Sequence, residues 1–328
     1  MNEVVQQRSA FVTGATGCIG SALVSRLAGD GWRVVALVRD RSRTTHLPET
    51  VEFVEGDLAD WERIAEAMRD CQVVFHLAAK VHASPKTLLE EFERINVAGT
   101  RSVIAAAIEN RIDRFIFFST VAVFGEQDEM VDESRFPRPT TPYGATKLDA
   151  ERIVLAAKEL NPTVLRLPVV YGPHDRGNVA RLVKAIRRNR YFIVGDGQNL
   201  KSMVAVENVV DAALLVASDE RASGQTYIVT DGRPYSQEEI AVTIAELLGK
   251  KRPGRLPRWA LLVAGRTGDL IETATGIALP ITSDRIRKLS SNTIFSSAKI
   301  ECELGFKPRM TLREGLAHAI QNDFKSRI

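Results

Sequence analysis

Cysteine is scarce in this chain. Only three of its 328 residues are cysteine, Cys18, Cys71 and Cys302, and they stand far apart with no metal-ligand spacing. A disulfide framework and a zinc site are therefore not expected, and we predict no metal site. The pattern indicates a reducing compartment, so we expect a cytoplasmic protein.

Long apolar runs and a large excess of one charge are missing as well. No apolar run approaches the ~20 residues that a membrane-spanning helix needs, so no integral membrane segment is expected. Residues 1–9 are polar and lack the apolar centre of a signal peptide. Lysine and arginine total 44 against 41 aspartate and glutamate, and this net charge of +3 is too small to indicate a nucleic-acid partner.

The chain does contain an alternation of two patterns. Short runs rich in Val, Ile and Phe are typical of buried parallel strands, and the amphipathic stretches between them are typical of helices. This alternation predicts an α/β fold with a doubly wound parallel sheet, the Rossmann fold. The predicted strands are Ala10–Val12, Val34–Val38, Val51–Val54, Val73–Leu77, Phe115–Ser119, Thr163–Arg166 and Thr226–Val229. The predicted helices are Ile19–Asp30, Trp61–Met68, Leu88–Asn110, Pro142–Leu160 and Val206–Ala217.

A glycine-rich turn follows the first predicted strand. Three glycines spaced three residues apart open a helix there. Such glycines permit a tight turn and a close approach of the backbone to a pyrophosphate, which the helix N-terminus then stabilises. We therefore predict a dinucleotide site at this turn. Its residues are Gly14, Thr16, Gly17, Cys18, Ile19 and Gly20.

The residue after the second strand distinguishes NADP from NAD. An acidic residue at this place usually holds the ribose hydroxyls of NAD. Here Val38 is followed by Arg39, which can pair bidentately with a 2′-phosphate and stack on adenine. The sequence therefore favours NADP(H), with NAD(H) as the alternative cofactor.

Two further strand ends are predicted to line the cofactor. Asp57 and Leu58 follow the third strand, where Asp57 is placed to accept the adenine amino group or to cap a helix. The fourth strand ends in mostly small residues, as expected where backbone lies beside a cofactor. These residues are Leu77, Ala78, Ala79 and Lys80.

The glycine turn and the change of pattern after Gly172 define the predicted organisation. Residues 1–172 form an NAD(P)-binding Rossmann domain, whose sheet is completed by residues 205–232. Residues 173–204 and 233–328 form a smaller, mainly helical substrate-binding region. Within it, the basic stretch Lys250–Arg258 is interpreted as a loop joining two helices, in preference to a contact with an anionic membrane surface.

Tyr143 and Lys147 stand one helical turn apart. Thr141 is a good N-cap and Pro142 suits the first helical position, so a helix beginning there places both side chains on one face. An ammonium beside a phenol favours the phenolate and is expected to lower the tyrosine pKa from about 10. Such a tyrosine can exchange a proton with an alcohol or ketone near neutral pH.

Together these motifs resemble the extended short-chain dehydrogenase/reductase family, and within it the nucleotide-sugar epimerases and reductases. The motifs that carry the resemblance are segments 13–20, 56–58, 77–79, 119–125 and 170–173, Asn96 with Gly99 and Thr100, and Tyr143 with Lys147.

The resemblance implies a role for each matching residue. Asn96 contacts the cofactor. Thr120 hydrogen-bonds the substrate oxygen, Tyr143 exchanges the proton, and Lys147 binds the nicotinamide ribose and depresses the tyrosine pKa.

The residues after Thr120 narrow the reaction within this resemblance. Val121 and Ala122 stand where nucleotide-sugar dehydratases carry an Asp-Glu pair. The decarboxylating relatives keep a Glu at the second position, and the GDP-fucose synthases have a Cys at the first. Neither Val nor Ala can move a proton, so all three reactions are disfavoured.

Two redox outcomes remain. Reduction of a UDP-4-keto-6-deoxy sugar by NADPH is favoured because of Arg39. A nucleotide-sugar 4-epimerase with tightly bound NAD is the alternative. A dihydroflavonol-reductase-like or hydroxysteroid-like ketone reductase is a further alternative, and so is an NADP-binding regulator without turnover.

The resemblance also implies contacts with a nucleotide-sugar substrate and with a second copy of the chain. Asn178 is expected to contact the sugar diphosphate, with basic side chains at its phosphates. A homodimer contact is expected at the helices predicted over 88–110 and 142–160. The predicted substrate residues are Thr120, Val121, Tyr143, Asn178, Arg181 and Arg285.

Overall fold

The computed structural model describes residues 7–81, 89–127, 129–257, 259 and 291–325, and of residues 322–325 it describes the backbone. Strands and helices are numbered in chain order. No helix in these ranges is long and apolar enough to cross a membrane.

A seven-stranded parallel sheet forms the centre of the structure. Its strands are β1 (Ser9–Thr13), β2 (Arg33–Val38), β3 (Glu52–Glu55), β4 (Val73–His76), β5 (Arg114–Thr120), β6 (Pro162–Leu167) and β11 (Thr226–Ile228). They lie in the order β11-β6-β5-β4-β1-β2-β3, and each neighbouring pair is parallel. The shorter strands are β7 (Val169–Tyr171), β8 (Ile193–Val194), β9 (Leu200–Lys201), β10 (Met203–Ala205), β12 (Tyr235–Ser236) and β13 (Arg255–Leu256). The predicted doubly wound sheet is confirmed, and the predicted strand at 226–229 joins it as an edge strand.

Helices cover both faces of the sheet. The helices are α1 (Cys18–Gly29), α2 (Trp61–Ala67), α3 (Leu89–Phe92), α4 (Gly99–Glu109), α5 (Pro142–Ala156), α6 (Asn178–Arg187), α7 (Val206–Ser218), α8 (Gln237–Leu247), α9 (Ala298–Leu304) and α10 (Leu312–Lys325). Buried side chains of α1, α7 and α9 pack on one face, and those of α2, α4 and α5 pack on the other. Both faces are therefore covered, as an all-parallel sheet requires.

Strand β5 shows why the central strands are apolar throughout. Phe115 and Phe117 point to the α5 side of the sheet, while Ile116 and Phe118 point to the α1 side. Successive side chains of a strand alternate between faces, so a strand buried on both faces is a continuous apolar run.

Two predicted helices differ from the observed ones. The helix predicted over 88–110 consists of α3, a π-helical turn Glu93–Ala98 and α4, and its predicted first residue, Leu88, lies outside the described residues. The π-helical turn adds one residue to a helical turn, and such insertions are frequent at functional sites. The helix predicted over 142–160 ends at Ala156 and is followed by a 3₁₀ turn, Lys158–Leu160.

The region beyond the central sheet is built around a separate apolar cluster. Side chains of α6, α8 and α10 pack there against Tyr171. Three small sheets flank the cluster, with β7 parallel to β10, β8 parallel to β13 and β9 antiparallel to β12. The stretch predicted as a loop over 250–258 therefore contains a short strand, β13, and its last residue, Arg258, lies outside the described residues.

Asp231 ties this second region to the end of the central sheet. Its buried carboxylate accepts hydrogen bonds from Tyr171 at 2.7 Å, Asn208 at 2.7 Å, the Ala205 N–H at 2.9 Å and Tyr235 at 3.3 Å. These donors lie on β7, α7, β10 and β12. One carboxylate therefore fixes four elements relative to one another.

We predict that Asp231→Ala lowers the free energy of unfolding by about 3–5 kcal/mol, because a buried donor left without an acceptor loses about 1–3 kcal/mol. Tyr235→Phe removes only the 3.3 Å hydrogen bond and should lower it by about 1 kcal/mol or less. Guanidinium unfolding followed by circular dichroism measures both. Equal losses in the two variants would contradict the joining role of Asp231.

Candidate active site

Glycine shapes the turn between β1 and α1. Gly14 has a φ of +76°, and a Cβ there would lie 2.8 Å from the backbone nitrogen of Ala78. A Cβ on Gly20 would lie 2.1 Å from the Gly14 oxygen. The Gly17 N–H donates to that same oxygen at 3.0 Å. A side chain at position 14 or 20 would therefore open the turn.

The first turn of α1 is left available to an anion. Gly17 is the N-cap, and among the described residues no side chain accepts a hydrogen bond there. A Cβ on Gly17 would meet only the Gly14 oxygen, at 3.3 Å. Burial raises the pKa of the Cys18 thiol to about 12, so Cys18 adds no charge beside the half-buried Thr16 and Ile19. The N–H groups of this first turn and the helix dipole fit a dinucleotide pyrophosphate.

The ends of β2 and β3 carry the residues predicted for the adenosine half. Arg39 is exposed directly after β2. The carboxylate of Asp40 accepts the Ser42 N–H at 3.0 Å and so faces the following 3₁₀ turn. Arg39 is therefore the side chain presented at this strand end.

Asp57 does not cap the helix that follows it, so its alternative role as a cap is wrong. Asp60 caps α2, accepting the Arg63 N–H at 3.2 Å. Asp57 is exposed and accepts the Ala59 N–H at 3.1 Å, while its neighbour Leu58 is buried. The carboxylate of Asp57 keeps acceptor capacity for a ligand.

Asn96 holds the loop that follows β4, residues 77–80. Its side chain accepts the Lys80 N–H at 2.7 Å and donates to the Lys80 oxygen at 3.1 Å and to Thr146 at 3.1 Å. The Lys80 ammonium pairs with Glu91 at 2.7 Å. Asn96 therefore holds both polar backbone groups of Lys80 and links this loop to α5 from within the π-helical turn.

The sequence analysis missed His76, at the end of β4. The side chain is fully buried between the hydroxyls of Thr13 at 2.7 Å and Thr100 at 3.0 Å. Burial, and then the charge of Lys147, lowers the pKa of His76 to about 3. His76 is therefore a neutral hydrogen-bonding link beneath the site. In the sequence, its place at the end of a predicted strand was the signal that could have identified it.

The predicted catalytic residues come together at the end of β5. Helix α5 begins at Pro142, and Thr141 caps it by accepting the Gly144 N–H at 3.1 Å. Thr120, the last residue of β5, lies beside Tyr143 and lowers the pKa of its phenol. One turn further along α5, Lys147 donates to the Phe118 oxygen at 2.7 Å.

The expected pKa of Tyr143 is wrong for this structure. Burial raises it to about 12, and the neighbouring Thr120 side chain works against that rise. Burial also lowers the pKa of Lys147 to about 7, opposed by the carboxylate of Glu151. Desolvation of both side chains outweighs their mutual effect, and the Lys147 ammonium is directed at a backbone oxygen. The tyrosine is therefore a phenol in this structure near neutral pH.

Glu151 was also missed by the sequence analysis. It continues the face of α5 that carries Tyr143 and Lys147, four residues further on, and only 1% of it is exposed. It accepts hydrogen bonds from Ser119 at 2.5 Å and from Arg166 at 2.7 Å. The signal available in the sequence was the spacing of four residues, which runs from Tyr143 to Lys147 and again from Lys147 to Glu151.

The predicted substrate residues are less closely assembled. Val121 is half-buried beside Thr120, in the 3₁₀ turn that follows β5. Asn178 and Arg181 are exposed on the first turn of α6, and no hydrogen bond or ion pair among the described residues joins them to Thr120 or Tyr143. Arg285 lies outside the described residues.

Comparison with known proteins places this geometry in a family. The NAD dependent epimerase/dehydratase family matches residues 10–230. The chain is 29% identical over 320 residues to N-acetyl-alpha-D-glucosaminyl-diphospho-ditrans,octacis-undecaprenol 4-epimerase of Escherichia coli O157:H7, covering 96% of this chain and 95% of the relative. It is 33% identical over 320 residues to 4-hydroxy-2-methyl-3-oxo-4-farnesyl-3,4-dihydroquinoline-1-oxide ketoreductase of Stigmatella aurantiaca, covering 93% and 94%.

A solved structure agrees with these relatives. MoeE5 in complex with UDP-glucose and NAD is similar with a TM-score of 0.77 and 30% identity, covering 98% of this chain and 100% of MoeE5. The expected enzyme class is confirmed: the chain belongs to the NAD dependent epimerase/dehydratase family.

Proposed function

We propose that the protein is a 4-epimerase that acts on a sugar carried by a diphosphate, with NAD as its bound cofactor. The observation that carries the proposal is the assembly of Thr120, Tyr143 and Lys147 at one strand end. The similarity to an epimerase of a diphosphate-linked sugar supports the reaction, and the similarity to MoeE5 with UDP-glucose and NAD supports the ligands.

The residues of the site handle the proton on the sugar oxygen. Thr120 affects the pKa of Tyr143, so the two hydroxyls lie close enough for one sugar oxygen to be bound by both. Tyr143 takes the proton as the sugar carbon is oxidised and returns it as the carbon is reduced. Bound NAD supplies the hydride acceptor and, while oxidised, a positive charge that favours the tyrosine phenolate.

The absence of a second acid/base group beside Thr120 limits the chemistry. Val121 presents no titratable group, and the backbone N–H of Ala122 donates to the Thr120 hydroxyl at 3.2 Å. Elimination of water needs a group that removes a proton from a second carbon. We therefore assign the site to redox chemistry at a single carbon.

The diphosphate is assigned to the start of α6. Asn178 is the first residue of this helix and Arg181 lies one turn later, both exposed. The Asp175 carboxylate already accepts the Gly177 N–H at 2.6 Å and the Ala180 N–H at 2.9 Å, so the exposed side chains of Asn178 and Arg181 are the groups that we assign to the diphosphate. Arg285, outside the described residues, stays a predicted phosphate contact.

Reduction of a ketone by NADPH, with a UDP-4-keto-6-deoxy sugar as the first choice, is the second candidate function. Arg39 favours it, because its exposed guanidinium suits a 2′-phosphate. The ketoreductase of Stigmatella aurantiaca supports the same class of reaction.

Two incubations separate the candidates. In the first, the protein and NAD are mixed with UDP-glucose or UDP-N-acetylglucosamine, and proton NMR follows the sugars. In the second, NADPH and a UDP-4-keto-6-deoxy sugar are supplied, and the nicotinamide absorbance is followed. Interconversion of two UDP-sugars without net change of cofactor supports the epimerase, whereas stoichiometric loss of NADPH establishes the reductase.

Tyr143→Phe should reduce turnover by about 10²–10⁴-fold, since it removes the proton exchanger. Cofactor affinity, measured by calorimetry, should change little, because the phenol acts on the sugar oxygen. Tyr235→Phe is the matched control outside the site and should retain turnover. Full turnover by Tyr143→Phe, with cofactor still bound, would exclude the tyrosine from the chemistry and favour a binding role.

Arg39→Ala should weaken NADP binding by about 10–100-fold, the loss of a charge-assisted hydrogen bond worth about 1.5–3 kcal/mol. NAD binding should change by less than about threefold, because NAD has no 2′-phosphate. Arg41→Ala, the same charge change two residues away, is the control. Calorimetric titration with each cofactor gives both constants, and an equal loss for NAD and NADP would contradict the role of Arg39.

A further inference from the structure

We propose that Glu151 and Arg166 are positioning residues that set the place and the charge of Lys147. The predicted effect on turnover rests on the proposed function, because that proposal places Lys147 at the reaction site with Tyr143. Neither Glu151 nor Arg166 reaches the bound sugar in that proposal, and both are buried behind the site.

Three side chains on one face of α5 contact three successive residues at the end of β5. Tyr143 lies beside Thr120, Lys147 donates to the Phe118 oxygen at 2.7 Å, and Glu151 accepts from the Ser119 hydroxyl at 2.5 Å. The helix and the strand are therefore held in register by one contact per turn. Glu151 fixes Ser119, the strand residue between Phe118 and Thr120.

Arg166 holds Glu151 in place from β6. Its Nη2 donates to Oε2 of Glu151 at 2.7 Å, and its Nε donates to Oε1 and Oε2 at 3.1 and 3.2 Å. The guanidinium carbon lies 4.8 Å from the ring centroid of Phe124. A planar guanidinium held this way gives the carboxylate one orientation, in which it also accepts the Ser119 hydroxyl.

The groups in direct contact with the Lys147 ammonium carry no negative charge. The ammonium lies 3.8 Å from the ring centroid of Phe117 and bonds the Phe118 oxygen, and His76 below it is neutral. Tyr143, on the same face of α5, is a neutral phenol, and Arg166 on β6 is a cation.

Glu151 is therefore the anion that favours the protonated lysine. Among the described residues its charge is the one that raises the pKa of Lys147 against burial. With that pKa at about 7, the charge on Lys147 near neutral pH depends on Glu151.

Two substitutions in the same buried pair should shift the pKa of Lys147 in opposite directions. Glu151→Gln removes the anion but keeps an oxygen that can accept from Ser119, so Lys147 should lose its proton at lower pH. Arg166→Met removes the competing cation and leaves Glu151 facing Lys147, so the proton should be lost at higher pH. Both variants break the same ion pair, so a general loss of stability cannot produce opposite shifts.

The measurement is an NMR titration of protein labelled with ¹³C at the lysine ε-carbon, with the Lys147 signal assigned by its loss in Lys147→Met. We expect a change of about tenfold in the proton affinity of Lys147 in each direction, equal to about one pH unit. Asp149→Asn is the matched control, because Asp149 is exposed on the same helix and pairs with Arg152. It should leave the midpoint unchanged, and Glu151→Asp, which keeps the charge, should restore most of the wild-type midpoint.

The proposal is overturned if Glu151→Gln and Arg166→Met shift the titration midpoint of Lys147 in the same direction, or if neither variant shifts it. Should Glu151→Gln fail to fold, the double variant Glu151→Gln/Arg166→Met carries the test. It removes both charges, of which Glu151 is the one that raises the pKa of Lys147, so its midpoint should fall below that of the wild type. A midpoint at or above the wild type overturns the proposal.

Turnover measured against pH then tests the proposed function separately. If the protonated Lys147 is needed, the alkaline limit of turnover should move with the NMR midpoint in each variant. If the NMR midpoints of Lys147 shift in opposite directions while the alkaline limit of turnover stays the same, the positioning role of Glu151 and Arg166 is supported. Lys147 would then have no part in the proposed reaction.

Discussion

The site depends on the parallel direction of the sheet. Because the strands run the same way, the residues that end β1, β4 and β5 meet at one edge, with Thr13 paired to His76 and His76 paired to Phe117. The turn at Gly14 lies against Ala78 at the same edge. The glycine turn, the buried histidine and the strand end that carries Thr120 therefore need no dedicated scaffold, since the register of three neighbouring strands assembles them.

Burial then decides the electrostatics of that edge. Desolvation is the largest cause of the shifts at Tyr143, Lys147 and His76, and it favours the neutral form of each. A site of this kind holds the tyrosine as a phenol until a positive charge arrives, and it holds the lysine near the midpoint of its titration. Small changes in nearby charge, such as the oxidised nicotinamide or the Glu151 carboxylate, are then large enough to select the protonation state.

The sequence predicted those features that depend on residues close to one another in the chain. The strand runs, the glycine turn and the spacing of Tyr143 and Lys147 all follow from residues within a few positions of one another. The Ser119–Glu151 hydrogen bond spans 32 residues and the pair of Glu151 with Arg166 spans 15, so neither was visible as a motif. The pKa of Tyr143 was predicted in the wrong direction because its burial comes from tertiary packing, which a spacing rule cannot contain.

The catalytic residues do not by themselves separate an epimerase from a reductase, because both exchange one proton at one sugar oxygen. An epimerase must offer both faces of the oxidised sugar to a cofactor that stays bound, whereas a reductase releases its cofactor after each turnover. Under the proposed function, the residues that decide between the two reactions are therefore those assigned to the sugar and the adenosine, on α6 and at Arg39, away from Thr120 and Tyr143. Asp231 fixes β7 and β10, which lead into that second region, against the sheet. Specificity in this chain can thus change around an unaltered Tyr143–Lys147 pair.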